Sequence, residues 1–361
     1  MVVATIVGAR PQFIKAAPVS RALKSAGQRE ILIHTGQHYD HNMSRLFFEE
    51  LELAEPDVNL GVGSGSHGQQ TGLMLARVEE VLLARRPDAV LVYGDTNSTL
   101  AGALAACKLR IKLAHVEAGL RSRNREMPEE HNRVLTDHCS DLLFCPTRVA
   151  VENLAGEGLT RGVHLVGDTM YDALRQSAEL AARRSAVLND LKLEPRGYLL
   201  ATLHRPYNTD TPEHLRSILE ALVELDEPVV FPVHPRTRKQ IAALDGPRAL
   251  KDGKSKVRLM EPVGYLDMLM LERHARLILT DSGGLQKEAL FCGVPCVTLR
   301  PETEWVETVA AGWNVLTGAD RDKIVAAVKE QRWPPGPPPM LYGDGHAAEH
   351  IVRILMDGAT G

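Results

Sequence analysis

Residues 89–96 read Ala-Val-Leu-Val-Tyr-Gly-Asp-Thr, an apolar run of strand length that stops at a glycine and an acid. With no polar residue alternating through it, such a run fits a strand buried on both faces, as in a parallel sheet. The pattern recurs along the chain. Further runs are Val2–Val7, Ile31–His34, Lys112–Val116, Leu142–Cys145, Val163–Val166, Tyr198–Leu203, Val229–Val233, Lys256–Leu259, Arg276–Thr280 and Val294–Leu299. Amphipathic stretches such as Thr71–Arg85 and Glu213–Leu225 separate them. Strands alternating with helices predict an α/β protein whose parallel sheets are covered by helices.

The alternation breaks once. Residues 169–194 form a charged, Ala- and Arg-rich helical stretch closing at Pro195-Arg196-Gly197, which is read as the bridge between two α/β halves. Domains are expected at 1–168 and 169–345, with a last helix around Ala347–Met356 in a terminal segment, 346–361. Pro334–Pro339 contains five prolines and predicts an extended connector. At 361 residues the chain has room for about two domains.

Lys and Arg number 42 against 46 Asp and Glu, a net charge of −4. That balance lacks the basic surplus of a nucleic-acid or anionic-membrane binder. The longest uncharged stretch, Val58–Ala76, is rich in Gly, Ser, Gln and His, so no membrane span is expected. No signal peptide is read at the N-terminus, and a cytoplasmic location is expected. Five cysteines without a Cys-x-x-Cys pair read as small buried hydrophobes in a reducing compartment.

In parallel α/β sheets ligands bind beyond the carboxyl ends of the strands. Polar residues gather there in unit after unit: Gly8-Ala9-Arg10-Pro11 with Lys15 a turn later, Gly94-Asp95-Thr96, Glu117–Arg121, His204-Arg205, His234-Pro235-Arg236 and Asp281-Ser282-Gly283-Gly284. The last is the sharpest phosphate signal. Its glycines let backbone N–H groups approach an anion, Ser282 can cap the helix, and the helix dipole favours negative charge. Glu288, one to two turns on, is placed to take ribose hydroxyls, and Arg10 and Lys15 could complete a diphosphate clamp. Asp95, Glu117 and the Glu129-Glu130 pair form a carboxylate set. Glu129 and Glu130 also open a helix, where acids complement the dipole. Carboxylates crowded together perturb one another's protonation, which makes general acid/base work possible near neutral pH.

Four features point elsewhere and are set aside. Gly63-Ser-Gly-Ser-His-Gly68 fits a dinucleotide pattern with Asp88 downstream, but its preceding strand would be only Val58–Leu60, so a mobile loop is the preferred reading. His34, His38 and His41, with Asp40, lack helical ligand spacing, and no metal is expected. Cys292 and Cys296 read as packing, and Phe47-Phe48 as core.

The strings Gly-Ala-Arg-Pro-Gln-Phe-Ile-Lys (8–15), Gly-Asp-Thr-Asn-Ser-Thr-Leu-Ala (94–101), His-Val-Glu-Ala-Gly-Leu-Arg (115–121), Met-Pro-Glu-Glu-His-Asn-Arg (127–133), Thr-Asp-Ser-Gly-Gly-Leu-Gln-Lys-Glu-Ala (280–289) and Tyr-Gly-Asp-Gly (342–345) together resemble the non-hydrolysing UDP-N-acetylglucosamine 2-epimerases almost from end to end. The resemblance implies a type B glycosyltransferase-like fold: two Rossmann-like domains facing a cleft, with the C-terminal helix returning to the first. It implies a UDP-sugar substrate, no cofactor or essential metal, and a homodimer. Asp95, Glu117 and Glu130 would be the catalytic carboxylates, and His204 a catalytic or uridine-diphosphate-contacting histidine. Arg10, Lys15, Ser282, Gly283, Gly284 and Glu288 would contact the nucleotide. The implied reaction removes the carbon-2 proton, expels UDP to leave 2-acetamidoglucal, and re-adds UDP with reprotonation on the opposite face.

Three segments depart from the family pattern. The usual acid after His-Arg is absent in His204-Arg-Pro-Tyr-Asn208. An arginine is replaced in Thr303-Glu-Trp-Val-Glu307, and a segment tied to a second UDP-sugar site reads Gln37-His38-Tyr39. The tryptophan form, with Gly36–Asp40 and Val263–Leu266, also resembles a branch acting on UDP-2,3-diacetamido-glucuronic acid. Other readings are a glycosyltransferase of the same fold, a hydrolysing epimerase, and a nucleotide-sugar-binding regulator.

Overall fold

The computed structural model describes residues 1–37, 53–244, 246–247, 250, 255–329 and 333–357. The chain divides into two compact units, Met1–Gln176 with Met340–Gly361, and Ser177–Pro339. The expected divides at 168/169 and 345/346 therefore fall within the first unit. Two contacts account for this. Asp168 N–H donates to Tyr342 C=O at 3.0 Å, and Gly343 packs so tightly on Gly167 that an added Cβ would lie 2.9 Å from its Cα. The Tyr-Gly-Asp-Gly string is thus a place where backbone meets backbone.

The first unit holds β1 (Val2–Val7), β2 (Arg29–His34), β3 (Val58–Asn59), β4 (Ala89–Tyr93), β5 (Lys112–Val116), β6 (Leu142–Cys145) and β7 (Val163–Leu165). The second holds β8 (Leu199–Thr202), β9 (Val229–Pro232), β10 (Val257–Met260), β11 (Leu277–Thr280), β12 (Cys296–Thr298) and β13 (Asn314–Leu316). Their orders are β3-β2-β1-β4-β5-β6-β7 and β10-β9-β8-β11-β12-β13, and every pairing is parallel. Each sheet starts at its centre, winds outward one way, then returns and winds the other way. That is the Rossmann arrangement, and its switch points lie between β1 and β4 and between β8 and β11. The short β13, preceded by turn residues, had no apolar run long enough to read.

Burial on both faces explains the unalternating runs. Leu199 and Ala201 of β8 face one core with Ile218, Leu222, Phe231 and Leu279, while Leu200 faces another with Tyr198, Val230 and Ile278. Each such side chain contributes about 1.5–3 kcal/mol by leaving water. In the first unit the helix Asn97–Lys108 lies close to the sheet because its inner residues are small. At Gly102 an added Cβ would lie 2.8 Å from Ile6 Cδ1. That close packing brings the helix N-terminus down onto the β1–β4 switch point.

The bridge read as one helix is two, Thr169–Arg184 and Val187–Leu191, broken where Ser185 Oγ donates to Asp267 at 2.6 Å. The last helix, Ala347–Asp357, buries Ile351, Val352 and Leu355 in the first unit, and the Asp172 carboxylate accepts its Ala348 N–H at 2.8 Å. Among the described residues no helix is long and apolar enough to cross a membrane. Only Cys145 and Cys296 are buried. Cys107, expected to be buried, is exposed in the last turn of its helix, and Cys139 and Cys292 are half-buried.

Candidate active site

The first unit gathers four of the expected residues at its switch point. Lys15, on the helix after β1, forms an ion pair with Glu117, just past the end of β5; both are at least nine-tenths buried. Glu117 takes a left-handed backbone, φ 74°, which costs a non-glycine residue about 1–3 kcal/mol. Two bonds hold it: Glu117 N–H and Ala118 N–H both donate to Phe144 C=O at 3.1 Å. Gly94, at φ 64°, passes so near the pair that an added Cβ would sit 3.2 Å from Lys15 Nζ and 3.3 Å from Glu117 Oε2. The glycine brings Asp95 beside Glu117.

Arg133 joins the other two carboxylates. Its Nη2 donates to Asp95 Oδ2 at 2.6 Å and its Nη1 to Glu130 Oε2 at 3.0 Å, with the guanidinium buried. Glu130 also accepts Ser122 N–H and Oγ–H at 3.0 Å and Arg123 N–H at 2.8 Å. Asp95 keeps a third of its side chain exposed, whereas Glu130 is buried with its oxygens occupied. The expected crowding of bare carboxylates is thus relieved by Lys15, paired with Glu117, and by Arg133, which joins Asp95 to Glu130. Asn132 donates to Asp95 C=O at 2.9 Å and fixes that turn. Arg133 and Asn132 were passed over in the sequence. Their signal was spacing, one helical turn after Glu129 and Glu130 on the helix Pro128–Cys139.

The Arg10 residue opens the helix Arg10–Ser25, but its side chain lies outside the described residues, so the clamp with Lys15 is not placed. Gln12 caps that helix instead, its Oε1 accepting Gly8 and Ala9 N–H at 2.8 and 3.0 Å.

In the second unit His204 follows β8 and Asp281 follows β11, its neighbour in the sheet. Asp281 is fully buried. It accepts His204 N–H at 3.1 Å, Arg205 N–H at 3.0 Å and Asn208 Nδ2–H at 3.1 Å, and lies 3.3 Å from His204 Nδ1. The acid of the phosphate-type turn therefore faces the histidine loop. Parallel pairing of β8 with β11 is what makes that contact, and the sequence does not state which strands pair. His204 keeps 43% of its side chain exposed. Its imidazole is pushed down from the usual range chiefly by desolvation. The Asp281 carboxylate opposes that, and Arg205, His234 and Arg300 add to it.

Ser282 is the N-cap residue of the helix Gly283–Phe291, yet its side chain makes no capping bond, contrary to expectation. Its N–H turns back to Thr280 Oγ1 at 2.9 Å. At Gly283 an added Cβ would lie 2.6 Å from Glu304 Oε1, so a side chain there would have to displace the Glu304 carboxylate. Gly284 follows in the first turn, and Glu288 is buried on the same helix, close enough to Tyr265 to add to the rise that burial causes in its hydroxyl. Trp305, in place of the family arginine, is buried over the Lys287 ammonium at 3.9 Å. Arg300 lies at ion-pair distance, 3.1 Å, from Glu304. Tyr207 is nearly half exposed and packs on the His214 ring at 4.5 Å.

Of the features set aside, the Gly63–Gly68 loop reaches the first switch point, where His67 Nδ1 lies 3.3 Å from Asn97 Nδ2. His34 is buried against Phe13, with its Nδ1 accepting Gly36 N–H at 2.7 Å; His38, Asp40, His41 and Phe47-Phe48 lie outside the described residues, as does the Tyr39 of the departing segment. No group of three potential metal ligands occurs among the described residues. Gly63 C=O accepts Gln70 Nε2–H at 2.7 Å at the start of the helix His67–Arg85, and Asp88 binds Val2 N–H at 2.6 Å.

A sequence profile of the family described as UDP-N-acetylglucosamine 2-epimerase matches residues 21–356. A "UDP-N-acetylglucosamine 2-epimerase homolog" of Methanococcus maripaludis is 52% identical, over 98% of this chain and 99% of that protein. The chain belongs to the UDP-N-acetylglucosamine 2-epimerase family. A UDP-2,3-diacetamido-2,3-dideoxy-D-glucuronate 2-epimerase of Pseudomonas aeruginosa is 51% identical, over 98% and 99% of the two chains. The crystal structure of the Methanocaldococcus jannaschii UDP-GlcNAc 2-epimerase, in complex with UDP-GlcNAc and UDP, superposes with a TM-score of 0.90 at 47% identity, covering 99% of this chain and 100% of that one. The calicheamicin glycosyltransferase, 15% identical with a TM-score of 0.53 over 99% and 94% of the chains, shares the fold alone. The 2-epimerase family therefore has a type B glycosyltransferase-like fold here, as the resemblance implied.

Proposed function

We propose that the protein is a UDP-sugar 2-epimerase, an isomerase that interconverts UDP-N-acetylglucosamine and its 2-epimer by elimination and re-addition of UDP. The observation that carries this reading is the carboxylate group at the first switch point, Asp95 and Glu117 at the exits of β4 and β5 and Glu130 on the helix Pro128–Cys139, held by Lys15 and Arg133. One carboxylate takes the carbon-2 proton as the bond from carbon 1 to the diphosphate oxygen breaks, leaving 2-acetamidoglucal and UDP. Addition of UDP to carbon 1 then accompanies protonation of carbon 2 on the other face. Asp95 is the carboxylate most open to a substrate proton. Glu130, whose oxygens are taken up by four donors, serves chiefly to hold Arg133 and the turn 122–123.

The helix N-terminus at Ser282, Gly283 and Gly284 binds the diphosphate, with Ser282 Oγ turned away from capping and able to donate to it. Glu288 takes the ribose hydroxyls, and in the first unit the Lys15 ammonium sets the charge beside Glu117. His204, whose half-exposed imidazole is pushed below the usual range, donates a hydrogen bond to the nucleotide. No metal or cofactor enters this scheme.

Incubation with UDP-N-acetylglucosamine alone, followed by NMR, tests the proposal. UDP-N-acetylmannosamine should appear to an equilibrium mixture. Free sugar would indicate a hydrolase, and turnover only with an added acceptor a transferase. A second substrate is favoured by Trp305 in place of arginine and by the 51% identity to the diacetamido-glucuronate epimerase. The same assay with that UDP-sugar decides between them by kcat/KM.

A further inference from the structure

Behind the carboxylates of the first unit lies a histidine–aspartate pair that the reaction scheme does not use. His115 and Asp137 are both fully buried. His115 Nδ1 lies 2.6 Å from Asp137 Oδ1, and His115 Nε2 lies 2.7 Å from Gly94 C=O. A carbonyl only accepts, so Nε2 carries a hydrogen. The other Asp137 oxygen accepts Gly119 N–H at 3.1 Å and Arg121 Nη1–H at 2.7 Å. Burial acts to raise the Asp137 carboxyl, yet His115 and Arg121 outweigh it and hold the group below its ordinary range. With its other oxygen already accepting a guanidinium and a peptide N–H, Asp137 acts as the acceptor of the short bond and His115 Nδ1 as its donor.

The two ends of this pair grip two particular peptides. Gly94 precedes Asp95, and Gly119 follows Glu117 by two residues; both glycines have positive φ. Asp137 itself lies on the helix Pro128–Cys139 that carries Glu130 and Arg133. One aspartate thus ties together the two turns and the helix that present all three carboxylates.

We propose that His115 and Asp137 are positioning residues that fix the spacing of Asp95 and Glu117, His115 acting by donating from both ring nitrogens. This rests on the epimerase reading for its kinetic consequence, though not for its chemistry. The arrangement resembles the way a buried aspartate fixes a catalytic histidine, except that here the histidine hands its second bond to backbone and never meets substrate.

A matched pair of variants isolates the role. The amide nitrogen of His115→Gln falls near Nε2 and can keep the Gly94 bond. That of His115→Asn falls near Nδ1 and can keep the Asp137 bond. Turnover is measured per UDP-binding site counted by calorimetry, beside the unfolding temperature and the nitrogen-15 shifts of His115 in the wild type. Both His115 nitrogens should show protonated-type shifts, a result independent of any substrate. The asparagine variant should lose at least tenfold more kcat than the glutamine variant, with KM and UDP affinity within about threefold and similar unfolding temperatures. Asp137→Asn should lose kcat by about 10²-fold or more, because its amide nitrogen cannot accept. If either variant fails to fold, the shifts of the wild type still decide the hydrogen placement. A non-protonated nitrogen, or kcat per site unchanged in all folded variants, overturns the proposal. Failure of the wild type to epimerise any UDP-sugar, with both nitrogens protonated, would instead count against the epimerase reading.

Discussion

The two units repeat one topology, and each sets a histidine–aspartate pair at its switch point with opposite results. His115–Asp137 is closed off, 2.6 Å apart with both side chains at zero exposure, and its remaining bonds go to backbone and to the Arg121 guanidinium. His204–Asp281 is longer, 3.3 Å, and only the aspartate is buried. The same two residue types therefore do different work according to exposure. Where both are sealed, the pair fixes the chain. Where the ring is left open, the aspartate fixes the loop and the ring can meet a ligand.

The largest effects should come from the carboxylates that the sealed pair positions. Asp95→Asn and Glu117→Gln should each lower kcat by about 10²-fold or more, with UDP affinity retained. Glu130→Gln should cost less kcat and more stability, since it loosens four donors at once. Equal kinetic losses for all three would blur the distinction drawn between an open Asp95 and an occupied Glu130.

Next comes the open pair. Asp281→Ala leaves His204 N–H, Arg205 N–H and the Asn208 amide without their buried acceptor. It should destabilise the protein by about 2–4 kcal/mol, seen in chemical denaturation, and weaken UDP binding. His204→Gln, whose ring is half exposed, should hardly change stability and should act on turnover instead. A large stability loss there would erase the contrast. Glu288→Ala should weaken UDP by about 1.5–3 kcal/mol in calorimetry, and unchanged affinity would remove Glu288 from the nucleotide site.

An effect confined to stability belongs to Asp172, which caps the last helix. Burial raises its carboxyl to about 6, with the Ala348 and Ala347 N–H groups opposing and Glu349 and Asp168 adding. Its unfolded value, 3.8, is lower, so the native state holds the proton more tightly. Stability from this group is full below pH 4 and is lost as pH rises through about 6. Asp172→Asn should flatten that slope, and the difference between variant and wild type across the window should be about 3 kcal/mol in thermal unfolding.

Much of this was legible in the residues. The strand runs were visible because strands buried on both faces carry no polar alternation, as Leu199, Leu200 and Ala201 illustrate. Asp95 and Glu117 stood out because they directly follow buried strand runs, whereas Lys15, a turn into the next helix, was legible only together with the acids and Arg10. The hidden part depended on which strands are neighbours. Asp281 read as part of a phosphate turn and faces His204 only because β11 pairs with β8. His115 looked like one more residue of an apolar strand, and its partner lies 22 positions away on a helix. Sequence order shows which residues come after a strand but not which lie across from it.

The central claim is that these carboxylates remove and return the hydrogen at carbon 2. Epimerisation of UDP-N-acetylglucosamine in heavy water tests it most directly, with mass spectrometry and NMR of the product. The account predicts one deuterium at carbon 2 of the epimer, incorporation that is lost with turnover in Asp95→Asn. An epimer that retains its original hydrogen at carbon 2 would contradict it.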